Sequence, residues 1–593
     1  PQLTQSSTLL AVARARLSST ASIMANVLQI ADALYAEDKD AKTLASRVAA
    51  KLESDGVTNL PLLTQENYAT GRAPPGSLVR YVGMVQDMGN PEFYAPSVSV
   101  NGTDVCVAFR DELPAGADPS DATLADRKPF FCVAPPGLTD WASPPSQALP
   151  PPPSTSQATK RPREDTDEQP SQKQPCGGNA YTYSSTSAAK AASTPPGVLV
   201  RVYGDDGPRL NELVEIVGVV GGGLATTGLD VTEEDDAFDR QRLEDEQAWD
   251  PPASKVARLH ALSWRRLDPS HPVPPGALDK ATADSIRIAL LERLSMALDG
   301  DSIGAEYALC ALLASVDKRK DGRAVGALSL GLFCDAPHVD RIAQNLSRVF
   351  GEVLPRVLTV KTSTASAPLR SPGSERLAMS SLQICDGSAL ITVVDGQAPA
   401  SPAAAAATSA LRQLYGSQKQ IPFNFGFSEV KVPCDVVSVR IGVTDGSIEC
   451  DVDLPLKLSQ QSSLPDVSES TLQIMRQYVA AARRVIVDID EEGASGLEDQ
   501  FVAARATGRL PSRDAEGRLH QWVSVSKLKA RALGSVNMNP PHYNDAFDLE
   551  EERANRLKER TKLMRAMAPP PPRNVQHGFR SGFLSAKEVG LAD

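Results

Sequence analysis

The stretch Leu298–Phe350 holds the residues whose order comes nearest to a reaction site: a helix, a basic turn, the short apolar strand Ala327–Phe333, a tight turn and a second helix. A phosphate-binding loop between such a strand and helix needs G-x-x-x-x-G-K-[ST], so that backbone N–H groups and a lysine ammonium surround the phosphates. Here the turn is Cys334-Asp335-Ala336-Pro337-His338-Val339-Asp340. It brings no glycine pair, no lysine and no Ser/Thr for magnesium, and it sets two carboxylates where anions would bind. Downstream, an apolar run ends in Asp395, the place of a magnesium-holding acid, but Gly396 follows where a second acid is normal. No nucleotide cofactor and no catalytic residue are expected here.

The remaining reactive side chains are dispersed. Six histidines (260, 271, 338, 520, 542, 577) show no Ser/His/Asp or Cys/His pairing by spacing. Eight cysteines (106, 132, 176, 310, 334, 385, 434, 450) contain no C-x-x-C pair, which predicts reduced thiols and no metal site. A net charge of −12 argues against broad binding to DNA or to an acidic membrane surface. Nothing approaches the roughly 18 apolar residues of a membrane span.

These residues must be positioned by several domains. Residues 1–60 read as an N-terminal helical segment with helices near Asn26–Tyr35 and Asp40–Glu53, where Leu44, Val48 and Leu52 share one face. Residues 1–23 lack acids and read as sequence upstream of a start at Met24. Residues 61–142 and 197–266 read as one OB-like β-barrel. Its opening strand lies in Ser77–Tyr94, with further strands near Asp104–Arg110, Lys128–Val133, Gly197 onward, Leu213–Val220 and Ala257–Trp264. Residues 143–196, rich in Pro, Ser, Gln and Thr, form an expected disordered insertion into that barrel. Within it Lys160-Arg161-Pro162-Arg163 has the composition of a nuclear localisation signal. Residues 233–250 carry nine acids against two arginines, an expected solvated loop.

Residues 279–465 alternate helices and strands, which predicts an α/β domain with a mostly parallel sheet. The expected strands are Ala327–Phe333, Arg356–Thr362, the pair Ser381–Ile384 and Ala389–Gly396, and Asp435–Val443. Residues 466–567 read as helices, and 568–593, opening on prolines, as a disordered tail. The fold class is therefore multidomain α+β: N-terminal helices and an OB-like β-barrel, a degenerate P-loop-like α/β domain, and a C-terminal helical lid.

The segment VRYVGMVQDMGNPEFY (Val79–Tyr94) resembles the signature of the mini-chromosome maintenance complex-binding protein family. Further blocks resemble that family in order: Arg127–Trp141, Val198–Val220, Gly300–Leu313 and Gln420–Val439. The resemblance implies a nuclear, non-enzymatic partner of the hexameric mini-chromosome maintenance (MCM) helicase. Such a partner binds MCM subunits through protein–protein contacts, supports their soluble pool and their unloading from chromatin, and is linked to sister-chromatid cohesion. Chromatin association would be indirect, with no sequence-specific DNA binding. MRQYVAAARR (475–484) resembles the helix that opens the lid of MCM ATPases, which suggests a degenerate MCM paralogue that docks by imitating a subunit. The residues implied for partner contact are Gln86, Asp87, Phe93, Tyr94, Asp301, Ala305 and Glu306. The competing structural roles are barrel core for Phe93 and Tyr94 and a helix N-cap for Asp301. The alternative function is an OB-fold binder of single-stranded nucleic acid, stacking bases on Tyr81, Phe93, Tyr94, Phe109, Phe130 and Phe131.

Overall fold

The computed structural model describes residues 27–567 apart from 58–59, 112, 119–121, 144–196, 223–255, 371–376, 378, 400, 460–462 and 508–514. The basic knot Lys160–Arg163, the acidic run 233–250 and the tail 568–593 lie outside the described residues.

Helix α1 covers residues 27–37, and α2 (Ala41–Ser54) starts at Asp40, whose carboxylate accepts from Lys42 N. Leu44, Val48 and Leu52 are buried together, as the four-residue spacing requires. After the short α3 (Gln65–Ala69) comes β1 (Leu78–Met88). The next strands are β2 (Glu92–Tyr94), β3 (Ser97–Val100), β4 (Thr103–Cys106), β5 (Ala117–Asp118) and β6 (Ala125–Val133). The first half ends with β7 (Val198–Tyr203), β8 (Leu213–Val220) and β9 (Ala257–Arg266).

The strand order β1-β8-β9-β7-β6, with β6 returning to pair with β1, closes a five-stranded barrel. β6 and β7 are bonded neighbours although residues 144–196 lie between them, so that stretch is an insertion into one domain. Val79, Tyr81, Val85, Phe130, Val200 and Ile216 fill the interior. Gly83, midway along β1, leaves room for the Tyr81 side chain, which a Cβ there would meet at 2.4 Å. The strand expected over Asp104–Arg110 stops at Cys106, and Phe109 adopts a positive φ of 61°.

The second half opens with α4 (Lys280–Ala297) and α5 (Ser302–Leu313), followed by a hairpin, β10 (Lys318–Lys320) and β11 (Arg323–Val325). Asp321 and Gly322 both have positive φ, 50° and 76°, the two-residue turn that an Asp-Gly pair favours. Next are β12 (Ser329–Phe333), α6 (Ala336–Val353), β13 (Val357–Lys361), β14 (Ala389–Val394) and α7 (Pro402–Tyr415). Then come the hairpin β15 (Gln420–Asn424) and β16 (Glu429–Pro433), β17 (Val437–Gly442) and β18 (Val452–Pro455).

Five strands form one parallel sheet in the order β13-β14-β17-β12-β18. Alternation sends Ala389, Ile391 and Val393 into one core and Leu390 into another on the opposite face. Helix α6 buries Val339, Ile342, Ala343, Leu346, Val349, Phe350 and Val353, one stripe of a 3.6-residue period. Each large aliphatic there contributes about 1.5–3 kcal/mol.

The expected strand Ser381–Ile384 is a loop instead. Gln383 N donates to Ser380 O in a turn, while Leu382 and Ile384 are fully buried. The apolar alternation was real, but it reflects a buried loop. The C-terminal helices are α8 (Glu469–Arg483), α9 (Glu491–Ala506), α10 (Ala515–Ala532) and α11 (Pro540–Met567). They place Tyr478, Val479, Trp522, Val525 and Phe547 in the same core as Leu330, Ile391 and Val439 of the sheet. A boundary at residue 465 thus cuts through one continuous core, and the helices do not stand apart from the sheet as a lid.

Candidate functional site

At the carboxyl end of the parallel sheet the chain turns from Phe333 through Cys334 and Asp335 into α6. Asp335 occupies the N-cap position with Pro337 just inside the helix. The Phe333 ring lies between two guanidinium groups, Arg440 at 4.7 Å and Arg560 of α11 at 4.1 Å. Arg560 also donates to the carbonyl of Val443. Burial, and then the nearby charge of Arg440, push the Arg560 guanidinium below its ordinary value. Arg440 is fully buried and bonds Asp453 Oδ1 at 2.6 Å and Ile448 O at 2.7 Å. Register explains that pair: Gly331 of β12 stands between Arg440 of β17 and Asp453 of β18, and its bare Cα lets the two side chains meet above it.

Asp395, at the end of β14, accepts from Thr362 Oγ1 at 2.9 Å and from Ser363 Oγ. Its burial would raise its pKa, but these hydrogen bonds outweigh that and hold the carboxylate below its usual range. Among the described residues no cluster of His, Cys, Asp and Glu has the arrangement of a metal site. The crest of the sheet is therefore occupied by contacts the chain makes with itself.

The joint between the halves absorbs part of the expected partner surface. Gln86 Nε2 donates to Leu377 O at 3.1 Å, Leu377 N donates to Asp87 Oδ2 at 2.8 Å, and Gln383 Nε2 donates to Gln86 O at 3.1 Å. Gln86 and Asp87 are 1% and 0% exposed, so these two clasp the barrel to the α/β half and offer no surface to another chain. Arg356 reinforces the joint with bonds to the carbonyls of Pro269, His271 and Asp386. Trp141 completes it, donating Nε1–H to Gly351 O at 2.8 Å under the Arg476 guanidinium.

Asp301 and Ala305 are also buried. Asp301 caps α5 through Gly304 N at 2.9 Å and pairs with Arg556 at 2.6 Å, so its role is the N-cap, strengthened by a tie to α11. Glu306 is half-buried and pairs with Lys529 of α10 at 2.6 Å. Tyr94 packs edge-on against Tyr203 with Arg127 over its ring. Phe93 is different: it is 76% exposed on β2, an end strand of its sheet.

The base-stacking alternative loses most of its platform. Tyr81, Phe109, Phe130 and Phe131 are buried and Tyr94 is half-buried, which leaves Phe93 alone at the surface among the six aromatics proposed for it. On the outer face of the barrel, opposite the interior residues Val200, Val202, Leu259 and Ala261, a buried polar chain runs Tyr203–His260–Asp111–Arg201. His260 Nδ1 lies 2.6 Å from Tyr203 Oη, His260 Nε2 3.3 Å from Asp111 Oδ1, and Arg201 Nη1 donates to Asp111 Oδ1 at 3.0 Å. Burial pushes the imidazole below its ordinary value although Asp111 pulls the other way.

Sequence reasoning missed the surface on the two hairpins. Phe427 is fully exposed in the β15–β16 loop, and Lys318, Lys320 and Arg323 are exposed on β10–β11. The Asp321-Gly322 pair between basic residues was a readable hairpin signal.

The family model described as mini-chromosome maintenance replisome factor matches residues 48–195 and 189–557. The chain is 27% identical over 555 residues to a mini-chromosome maintenance complex-binding protein of Arabidopsis thaliana, covering 85% of this chain and 92% of that one. It is 25% identical over 571 residues to the protein of that name from Salmo salar, with 82% and 90% covered. With the Homo sapiens protein the identity is 24% over 580 residues, with 82% and 89% covered.

Proposed function

The chain belongs to the mini-chromosome maintenance replisome factor family, and we propose that it is a non-catalytic binding partner of the MCM complex. The observation that carries this reading is the match itself. It runs through the barrel and the α/β half alike, and the relatives it meets are named for binding that complex. The crest of the sheet supports the absence of turnover: Asp335 sits at the phosphate-facing turn, Arg560 covers Phe333, and Asp395 is engaged by Thr362 and Ser363. The sheet order, which numbers 2-3-4-1-5 along the chain, supports descent from a P-loop-like AAA+ domain and docking by imitation of an MCM subunit.

Within this reading the protein supports soluble MCM subunits, aids their removal from chromatin during DNA replication, and through that contributes to sister-chromatid cohesion. It works in the nucleus, with Lys160-Arg161-Pro162-Arg163 as the import signal, and its chromatin association is indirect. Within the expected partner surface, the exposure of Phe93 on β2 supports its touching another protein.

The test is to mix the purified full chain with purified MCM subunits and to measure both binding and ATP turnover by the chain alone. Binding without turnover is expected. Failure to bind any subunit overturns the partner reading, and robust hydrolysis abolished by Asp395→Ala overturns the non-catalytic one.

A further inference from the structure

Three cations stand together on the β10–β11 hairpin, and a fourth lies on β16 of the hairpin joined to it. Lys318, Lys320 and Arg323 are exposed on β10–β11, and Lys431 is exposed on β16. Among the described residues none of the four makes an ion pair with a carboxylate, although the chain carries a net charge of −12 and most of its buried arginines are paired. The two hairpins are joined at their bases: Ala324 N donates to Ser417 O at 2.8 Å, and Arg319 donates to the carbonyls of Gln418, Lys419 and Cys434.

From that base β15 and β16 run out to a four-residue loop carrying Phe427, which is fully exposed, and Val430 follows at 45% exposure. The loop is held firmly. Phe425 N donates to Ser428 O at 2.8 Å, Gly426 N to Asn424 Oδ1 at 2.8 Å, and Arg370 N to Asn424 O at 2.8 Å, with the Arg370 guanidinium over the Phe425 ring. Ile421, Phe423 and Val432 anchor the other face in the core. A large apolar side chain held at full exposure on a braced loop is pre-organised for a pocket on another molecule, with little ordering cost on binding.

We propose that the paired hairpins form a docking surface for a folded, acidic protein partner: Phe427 enters an apolar pocket, and Lys318, Lys320, Arg323 and Lys431 meet carboxylates around its rim. The proposal rests on the MCM-binding reading and locates the contact within it. A protein is favoured over nucleic acid because the surface presents one aromatic at the loop and not the succession of rings on which bases stack. Complementary charge sets the approach, and the buried aromatic supplies most of the residence time.

The experiment compares the full-length chain with Phe427→Ala and with the triple variant Lys318→Glu/Lys320→Glu/Arg323→Glu for binding to purified MCM subunits, at low and high salt. All changed side chains are exposed, so thermal melting should stay at the wild-type value. Phe427→Ala is expected to weaken binding by about ten-fold or more, mainly through faster release. The triple variant is expected to slow association and to lose the salt dependence. A fluorescent oligothymidylate serves as the competing probe. Equal affinity of both variants and the unaltered chain for MCM subunits overturns the hairpin surface while leaving MCM binding intact. No binding by the unaltered chain overturns the underlying reading instead. Hairpin-dependent capture of the oligonucleotide in place of the subunits overturns the proposal in favour of nucleic acid.

Discussion

Replacing Gly331 by alanine separates two physical arguments cleanly. In a strand interior alanine is ordinarily favoured over glycine by roughly 0.5–1 kcal/mol, because glycine loses more backbone freedom on folding. The packing above Gly331 reverses the sign. A Cβ there would lie 2.0 Å from Asp453 Oδ1 and 2.3 Å from Arg440 Nη2, both more than an ångström inside contact distance. The strand is central and cannot shift alone, since β12 is paired on both sides through register. The Arg440–Asp453 pair must therefore open. Arg440 has no exposure, so its charge would be left with only Ile448 O and the Phe333 ring. Breaking such a pair costs about 3–5 kcal/mol, and the 31% exposure of the Asp453 side chain points to the lower end, about 3 kcal/mol. For a domain of this size that corresponds to a fall in Tm of about 5 °C. Urea and thermal melts of the full chain supply the measurement. The same Gly331→Ala change in an Arg440→Met/Asp453→Leu background should cost less than about 1 kcal/mol, because no charge is then left without a partner. A Gly331→Ala variant within about 1 kcal/mol of wild type, or one equally destabilised in the charge-free background, refutes the reasoning.

Acid should weaken the fold through its histidines. His260, His271 and His542 all have folded-state values pushed down, by burial first in each case. The unfolded chain takes up protons near about pH 6.5 that the folded chain refuses, so this stability is full above that pH and is lost as pH falls from about 7.5 towards 5. His260→Gln should flatten that slope, and an unchanged slope in a pH series of urea melts removes the claim. Asp87→Ala strands the buried Leu377 N–H and should cost about 1–3 kcal/mol, with the joint between barrel and α/β half becoming protease-sensitive before either core; simultaneous cleavage everywhere contradicts the clasp. Phe93→Ser should leave stability within about 0.5 kcal/mol of wild type while lowering affinity for MCM subunits, and a large loss of stability would show that Phe93 belongs to the core after all.

The barrel was legible because its strands carry β-branched and aromatic residues in short runs bounded by Gly and Pro, and because β7 and β8 supply the strands that β1 and β6 alone lack. The parallel sheet was legible for the same reason. Helix α7 escaped notice because the first half of its buried face is alanine (Ala404, Ala407, Ala410) and large apolar residues enter only at Leu411, although Ser401 followed by Pro402 is a helix start that local chemistry announces. The family signature around Gln86 and Asp87 was readable, but its role was not. Its partners, Leu377 and Gln383, lie nearly three hundred positions away, and no local spacing encodes that contact. A polar pair that looks made for another protein was already satisfied within the chain.

The same reasoning decides what the cations at the sheet crest can do. A phosphate needs donors that are free to turn towards it, with a net positive field and little to desolvate. Arg440 is committed to Asp453 and Ile448 O, Arg556 to Asp301 and Glu552, and Arg560 to Val443 O and the Phe333 ring. Presenting Arg440 would strip Asp453 of its partner, presenting Arg556 would leave the buried Asp301 without its own, and presenting Arg560 would draw α11 off the Phe333 ring, so each of these ties must break before any binding is gained. Lys318, Lys320, Arg323 and Lys431 carry no such commitment. Their ammonium and guanidinium groups stay in water until a partner arrives, so the energy of meeting an acidic surface is available to association. Arg556 and Arg560 hold α11 against the sheet, while the hairpin cations stay free to meet a partner.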